Sequence, residues 1–168
     1  MSELPFNPVT AILEAVAACL CAEIQNPANG VPDVCFCGIV PGDNTPAMYA
    51  GNCKTRCGMA WTRLITLYPS NAVGATTVEP ARCDTGMGID IEVGMLRCIS
   101  VGDERGNLPT PQEQTDAVKL QLADAFVMWK ALLCCTAFPS GDVILTPYQP
   151  IGPEGGLVGG RFTASMGV

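Results

Sequence analysis

The sequence predicts an α+β domain: a mostly antiparallel sheet with two main helices packed on one face. Two long helical patterns are separated and followed by short segments rich in strand-forming residues. No repeated order of strand, glycine-rich crossover and helix appears, which disfavours a parallel doubly wound sheet. A chain of 168 residues can bury one core, so we expect a single domain over residues 1–168.

The first helix is predicted from Asn7 to about Gln25. Asn7 suits the cap and Pro8 suits the first helical position, where a missing N–H does no harm. Pro27 and the turn residues up to Gly30 end it. Apolar residues at helical spacing predict its buried stripe: Ile12, Leu13, Val16, Leu20 and Ile24.

Three strands are predicted between the helices, over Val34–Val40, Gly58–Tyr68 and Met87–Ile99. The third alternates most regularly, with Ile89, Ile91, Val93 and Met95 on one face and Asp90, Glu92 and Gly94 on the other. We expect its polar face to meet water, a partner or a lumen. Proline, glycine and polar residues predict irregular structure over Pro41–Lys54 and Asn71–Asp84.

The second helix is predicted over Pro111–Cys135. Thr110 can cap it through its hydroxyl, and Glu113 can reach back to the Thr110 backbone in a capping box. The helix is expected to lie on the sheet through one broad apolar face. That face comprises Val118, Leu122, Ala125, Phe126, Trp129, Leu132 and Leu133.

Two further strands are predicted after this helix. They cover Asp142–Tyr148 and Leu157–Val168, and Pro150–Gly156 is expected to turn the chain between them. In the last strand, Phe162, Ala164, Met166 and Val168 alternate with Arg161, Thr163 and Ser165.

Composition excludes some classes of function. The net charge of −7 and pI of about 4.4 argue against a nucleic-acid-binding face, since phosphate binding needs clustered Lys and Arg. The chain has no histidine, which removes Ser–His and Cys–His catalysis and histidine metal sites. Only 15% of residues are charged, which favours a subunit whose faces are covered by neighbours.

No targeting segment is predicted. Glu3 stands where a signal peptide would carry basic residues, and Glu14 interrupts the apolar stretch Val9–Ala22, which we expect to be too short to span a bilayer. The protein is therefore expected to be made in the cytoplasm. Its ten cysteines would stay reduced there unless the product leaves the cell.

The cysteines are the most conspicuous candidates for chemistry. Cys35, Cys37, Cys53 and Cys57 could form a zinc site, but their C-x-C and C-x3-C spacings are not the usual knuckle spacing. A disulfide within this set, or between Cys83 and Cys98, is favoured over zinc if the protein leaves the cell. The helical Cys19 and Cys21 and the adjacent Cys134 and Cys135 are interpreted as core-filling residues.

Other candidates are interpreted as structural. Gly86–Gly88 and Gly155–Gly160 precede strands rather than helices, so turn glycines are favoured over phosphate loops. Strand alternation explains Asp90 and Glu92 better than a catalytic dyad. Trp61 and Trp129 are expected in the core, whereas Arg63 and Arg161 are expected to be solvated or paired with a neighbouring subunit. We therefore predict no catalytic, cofactor-binding or metal-binding residue and no enzymatic activity.

Four segments resemble a family of small neck proteins of actinobacterial tailed phages. They are GNC…CGMAWTRLITLYPS, RCDTG…IDIEVGMLRCISV, QLADAFVMWKALLCC and GPEGGLVGGRFTASMGV, within residues 53–168. Leu157 departs from the family, which often carries a cysteine at that point, so no disulfide is carried over from it.

The resemblance implies a tail terminator, a head-to-tail connector component of the virion. It implies a compact α+β fold and a homo-hexameric ring that contacts the major tail tube protein and the head-completion or stopper protein. DNA would pass through the lumen without specific binding, and no membrane would be involved. The alternatives are another neck component, such as a stopper or tail-completion protein, and a Cys-rich metal-binding cytoplasmic domain.

Overall fold

The computed structural model describes residues 7–42, 50, 57–69, 85–100, 102, 107–134, 138 and 143–168. Helix α1 spans Asn7–Gln25 and α2 spans Pro111–Cys134. The strands are β1 (Phe36–Ile39), β2 (Met59–Pro69), β3 (Met87–Cys98), β4 (Ile144–Leu145), β5 (Gln149–Glu154) and β6 (Leu157–Gly167). The predicted α+β class is confirmed.

The six strands form one sheet in the order β1-β2-β3-β6-β4, and β5 also pairs with β6. Every pairing is antiparallel except that between β1 and β2. The longest strands, β2, β3 and β6, lie side by side, with Trp61 opposite Gly94 and Gly94 opposite Arg161. The mostly antiparallel sheet is thus confirmed.

Both helices pack on one face of this sheet, as predicted. Helix α1 lies mainly over β1 and β2, and α2 lies mainly over β6 and β3. The predicted α1 stripe is confirmed, since Ile12, Val16, Leu20 and Ile24 are buried. Opposite them lie the four apolar residues of β3 whose alternation marked the inner face: Ile89, Ile91, Val93 and Met95.

The opposite face of the sheet carries a smaller apolar cluster around the fully buried Trp61. Val40, Ala50, Met59 and Leu96 join it. Gly94 lies beneath the Trp61 indole, and a Cβ at this position would collide with the ring. Glycine is required here because the indole occupies the space of a side chain. The prediction that Trp61 is a core residue is confirmed.

The C-terminal strands differ from the prediction. Of the described part of the predicted strand Asp142–Tyr148, residues 143–148, only Ile144–Leu145 forms a strand. The expected turn Pro150–Gly156 is instead largely strand β5, and Gly155 and Gly156 alone make the turn into β6. Proline is tolerated here because β5 pairs with β6 alone, and an edge strand can spare an N–H.

Disulfides hold one end of the sheet. Cys21 of α1 bonds to Cys37 of β1, and Cys57 bonds to Cys98 at the end of β3, with Cα–Cα separations of 5.8 and 5.5 Å. Cys19 and Cys35 are also disulfide-bonded.

These bonds correct the predictions for the cysteines. Cys98 pairs with Cys57 rather than Cys83, and Cys37 finds its partner on α1, outside the predicted set. Cys19 and Cys21 are bonded rather than core fillers, because α1 lies against β1, which brings Cys21 next to Cys37. Cys53, Cys83, Cys135 and the Cys134 side chain lie outside the described residues, as do most of Pro41–Lys54 and all of Asn71–Asp84.

Candidate interaction surface

Helix α2 carries a row of large apolar side chains on its outer side. We call this row the α2 stripe: Val118, Leu122, Phe126, Trp129 and Leu133. These side chains are between 43% and 61% exposed, and the Phe126 and Trp129 rings stack with centroids 5.8 Å apart. Contiguous apolar surface of this kind marks interaction sites in folded proteins.

The predicted orientation of α2 was therefore wrong. Of the residues expected to face the sheet, Leu132 is buried and Ala125 half-buried, whereas the five residues of the α2 stripe face outward. A second apolar row faces the core instead: Val127, Met128, Ala131 and Leu132. The prediction that Trp129 is a core residue is likewise wrong.

A buried ion pair fixes the rotation of α2 about its axis. Arg97 of β3 donates from Nε to Asp124 Oδ2 at 2.9 Å and from Nη2 to Asp124 Oδ1 at 2.8 Å. Its Nη1 donates to the Asp33 carbonyl oxygen at 3.2 Å. Burial raises the pKa of the Asp124 carboxyl, and the bonds from Arg97 oppose that shift. Asp124 must face the sheet to reach Arg97, which turns the α2 stripe outward.

Two further contacts hold α2 in this orientation. Lys130 Nζ lies 2.6 Å from Glu23 Oε2 on α1. At the start of the helix the predicted capping box is confirmed: Glu113 N donates to Thr110 Oγ1 at 3.2 Å, and Thr110 N donates to Glu113 Oε2 at 2.7 Å. The pKa of Glu113 is lowered, first by the bond from the Thr110 backbone and then by that from its hydroxyl.

The far half of β2 carries apolar side chains on both faces of the sheet. Leu64 and Leu67 stand opposite the core residues Ile91 and Ile89, whereas Tyr68 lies over Gly88 on the other face. Ile65 is 42% and Leu67 39% exposed. Strand β1 pairs with β2 only as far as Thr62, and the register shifts between Leu64 and Thr66. The shift marks a bulge that leaves Ile65 without a partner position on β3.

The polar residues on the outer sheet face pair with one another. Glu92 accepts from Trp61 Nε1 at 2.8 Å and forms ion pairs with Arg63 at 2.8 Å and Arg161 at 3.1 Å. Asp90 accepts from Ser165 Oγ at 2.6 Å. The expectation of a polar β3 face open to water or a partner was wrong for Glu92, which is buried with Arg63 because the Trp61 cluster covers this part of the sheet.

Arg63 and Arg161 were thus placed wrongly by sequence reasoning, since both bind Glu92 within the chain. Their positions explain this. Arg63 lies directly opposite Glu92 across the β2–β3 pair, and Arg161 lies on β6 two residues from Thr163, the residue opposite Glu92, so that its side chain shares the same face of the sheet. Asp90 and Glu92 therefore each have hydrogen-bond or ion-pair partners within the sheet.

The cysteines do not form the zinc site considered above. Cys35, Cys37 and Cys57 are all in disulfides, and a sulfur in a disulfide has no thiolate to offer a metal. Among the described residues, no group of three or more Cys, Asp or Glu side chains could hold a metal ion.

A cavity of about 300 Å³ lies between the first half of α2 and the ends of β3 and β6. Its charged groups already have partners: Arg97 binds Asp124, Glu113 closes the capping box and Asp116 binds Lys119 at 3.2 Å. Gln121, which also lines it, donates to the Gly159 carbonyl oxygen. The charged and amide side chains named here, which line the cavity, are therefore bonded to other groups of the protein.

Helix α1 meets the length and composition of a membrane span over Pro8–Gln25, which corrects the expectation that this stretch is too short. The apolar residues responsible are the ones that pack on the sheet, including Val16, Leu20 and Ile24. Core helices share this composition.

No protein-family model matches the chain, and no curated protein matches it. The described residues form an acidic protein whose buried polar groups are largely paired and whose main exposed apolar surface is the α2 stripe.

Proposed function

We propose that this protein is a structural component of a tailed-phage virion, a tail terminator that forms a ring at the head–tail junction. The ring caps the tail tube and joins it to the head connector. The resemblance of four segments to actinobacteriophage neck proteins motivates the proposal, and it concerns assembly rather than catalysis.

The observation that carries the proposal is the α2 stripe. Five large apolar side chains face outward from a helix whose opposite side already fills the core. Exposing such a row to water is unfavourable, and burial against another protein removes that cost. A protein that acts by assembly has a use for such a surface.

The charge of the chain suits a passage for DNA. With a net charge of −7, an acidic lumen repels phosphates and lets the duplex pass without specific binding. The proposed protein partners are other copies of the chain in a homo-hexamer, the major tail tube protein and the head-completion or stopper protein. The proposal needs no cofactor, metal or membrane.

The disulfides suit a virion protein that is assembled in the host cytoplasm and later released. Cytoplasmic thiols are kept reduced, whereas released particles meet an oxidising medium. Cys21–Cys37 and Cys57–Cys98 would then form or persist in the finished neck.

The test has two parts. Light scattering on the purified protein should give a mass near six times the 17.6 kDa chain. Immunogold labelling of virions should place the protein at the neck. Phage lacking the gene should yield separate heads and tails with tubes of uncontrolled length.

Other outcomes would separate the alternatives. Unattached tails of normal length would favour a stopper, and a label elsewhere in the neck would favour a tail-completion protein. A stable monomer absent from particles would overturn the proposal.

A further inference from the structure

We propose that the side chains of Lys130 and Asn29 join in an isopeptide bond, with Glu23 carrying the protons. The bond links the short 3-10 helix Pro27–Asn29, which follows α1, to helix α2 of the same chain. It is a modification that the chain carries out on itself. The inference goes beyond the proposed function and stands whether or not the protein forms a ring.

The three side chains that this reaction needs meet between α1 and α2. Lys130 Nζ lies 2.6 Å from Glu23 Oε2, and Asn29 Nδ2 donates to the same oxygen at 2.8 Å. Lys130 Nζ also lies 3.5 Å from Asn29 Oδ1, the atom bonded directly to the amide carbon Cγ. The amine therefore lies beside the carbon that it has to attack, and one carboxylate oxygen contacts both reacting groups.

The Asn29 amide is held in the orientation that the reaction requires. Its Nδ2 donates to the Glu23 carbonyl oxygen at 2.7 Å as well as to the carboxylate, and its backbone N donates to Asn26 O at 3.0 Å. The amide nitrogen thus points to Glu23 and the amide oxygen to Lys130. Lys130 comes from α2, whose rotation is fixed by the buried ion pair described above. Both partners are positioned before the reaction begins.

Glu23 can act first as general base and then as general acid. It takes a proton from the Lys130 ammonium, and the neutral Nζ attacks Asn29 Cγ to form the new C–N bond. The bond from Cγ to Nδ2 breaks, and Nδ2 leaves as ammonium. Nζ gives up two of its three protons, one before and one after the attack, and Glu23 Oε2 passes both to Nδ2. The products are a secondary amide, ammonium and an ionised Glu23, and no other reactant is consumed.

The environment of Glu23 predicts a slow reaction. The bond from Lys130, and then that from Asn29, lower the pKa of Glu23, so its carboxyl is ionised at neutral pH and can start as the base. A carboxylate with a lowered pKa is also a weak base. The side chains of Lys130 and Glu23 are 30% and 22% exposed, so water stabilises the charged pair further. Newly made protein therefore holds the ion pair, and the amide bond forms as the protein ages.

A competing reaction of Asn29 also releases ammonia. The backbone N of Gly30 can attack Asn29 Cγ and close a cyclic imide. In the folded chain that nitrogen donates to Pro27 O at 3.2 Å, and Gly30 has a φ of 66°, which closes the 3-10 helix. Imide formation has to break this arrangement, whereas attack by Lys130 does not. The structure thus favours the isopeptide bond, and the experiment has to separate the two products.

The bond would tie the two helices together over a long loop. Asn29 and Lys130 are 101 residues apart in the chain. Closing a loop of this length restricts the unfolded chain and so stabilises the folded one. Reductants do not cleave an amide, so this tie would persist where the disulfides are lost.

Mass spectrometry of the full-length protein tests the proposal. After a week in mildly alkaline buffer, followed by reduction and alkylation, the wild type should be lighter than fresh protein by one ammonia molecule. Trypsin should then release a branched peptide that joins residues 1–54 to residues 120–161 through Asn29 and Lys130. It should remain uncut after Lys130, because trypsin does not cleave after an acylated lysine. An unchanged mass, or an imide at Asn29 with Lys130 unmodified, would overturn the inference.

Three variants assign the roles of the side chains. Lys130→Arg keeps a cation beside Glu23 but removes the amine, and its mass should not change. Glu23→Gln removes the proton carrier and should slow the loss of ammonia by at least about a hundredfold. Lys119→Arg makes the same exchange on α2 at an exposed site paired with Asp116, and it is the matched control that should react like the wild type.

Urea denaturation of fresh protein should show that all three variants fold. Loss of ammonia from Lys130→Arg at the wild-type rate would assign the reaction to the imide and overturn the inference. An unchanged rate in Glu23→Gln would overturn the role given to Glu23.

Discussion

Arg97 and Asp124 join β3 to α2 through two parallel bonds, from Nε at 2.9 Å and from Nη2 at 2.8 Å, with both side chains buried. Asp124→Ala should leave the arginine buried without its counter-charge. We expect a loss of about 3–5 kcal/mol in the free energy of unfolding, measured by urea denaturation. The double variant Arg97→Met/Asp124→Leu should recover most of that loss. An unchanged midpoint for Asp124→Ala would contradict the role given to this pair.

Gly94→Ala should destabilise the protein through the Trp61 ring. A Cβ at position 94 collides with the indole, which is also held by its 2.8 Å bond to Glu92. Displacing the ring should cost about 1–3 kcal/mol and change the Trp61 fluorescence, measured in a Trp129→Phe background.

A double-mutant cycle that combines Gly94→Ala with Trp61→Phe tests whether the destabilisation comes from the collision with the indole ring. The smaller phenyl ring should make Gly94→Ala less costly in that background than in the wild type. Equal costs in both backgrounds would show that the alanine acts on something other than the ring.

The Cys57–Cys98 and Cys21–Cys37 disulfides should differ in their effect on stability. Cys57 and Cys98 are 41 residues apart, whereas Cys21 and Cys37 are 16 apart. On the loop-entropy account, replacing each pair with serine should cost about 4 kcal/mol for the longer loop and about 3 kcal/mol for the shorter one. Guanidinium denaturation of both variants without reductant provides the comparison. The reverse order would argue against loop entropy as the source.

The Glu23–Lys130 bridge between α1 and α2 should make stability depend on pH. The side-chain bond from Lys130, and then that from Asn29, lower the pKa of Glu23 below its ordinary value of 4.5. A lowered pKa means that the folded state binds the proton less tightly than the unfolded state. The stabilisation is therefore present above pH 4.5 and is lost as pH falls through the folded-state pKa.

The measurement is the difference in unfolding free energy between wild type and Glu23→Gln from pH 7 down to pH 2. Because the pair is partly exposed, we expect a difference of about 1 kcal/mol or less at pH 7, shrinking toward zero in acid. Glu14→Gln, an exposed site on the same helix, is the control. A difference that grew in acid would contradict the assigned direction.

Sequence patterns predicted the sheet, both helices and the α1 stripe because each of these has a single clear periodicity. The buried face of helix α2 was predicted wrongly because this helix has two apolar rows, and the row with the larger side chains faces outward. Asp124 was the available signal: a carboxylate within the inner row requires a buried cation, and Arg97 supplies it. A carboxylate among the apolar residues of one helix row, together with an arginine on a neighbouring strand, thus indicates which side of the helix faces the sheet.

Other parts of the candidate site could not be predicted because they depend on long-range pairing. Alternation marked Glu92 as polar and outward, but only the strand register shows that Arg63 and Arg161 reach it beneath Trp61. The Cys21–Cys37 disulfide similarly follows from α1 lying against β1, which no local pattern encodes. The exposure of Ile65 and Leu67 on β2 depends on where β1 stops pairing.

The Cys21–Cys37 and Cys57–Cys98 disulfides lie at the end of the sheet where β2 begins, since Cys57 precedes Met59 and Cys37 stands opposite Ala60. At the opposite end Tyr68 pairs with Gly88 and Gly88 with Gly167 through strand hydrogen bonds. Strands at that end can therefore separate locally without breaking either of these two bonds, whereas at the first end the bonds limit how far the elements can part.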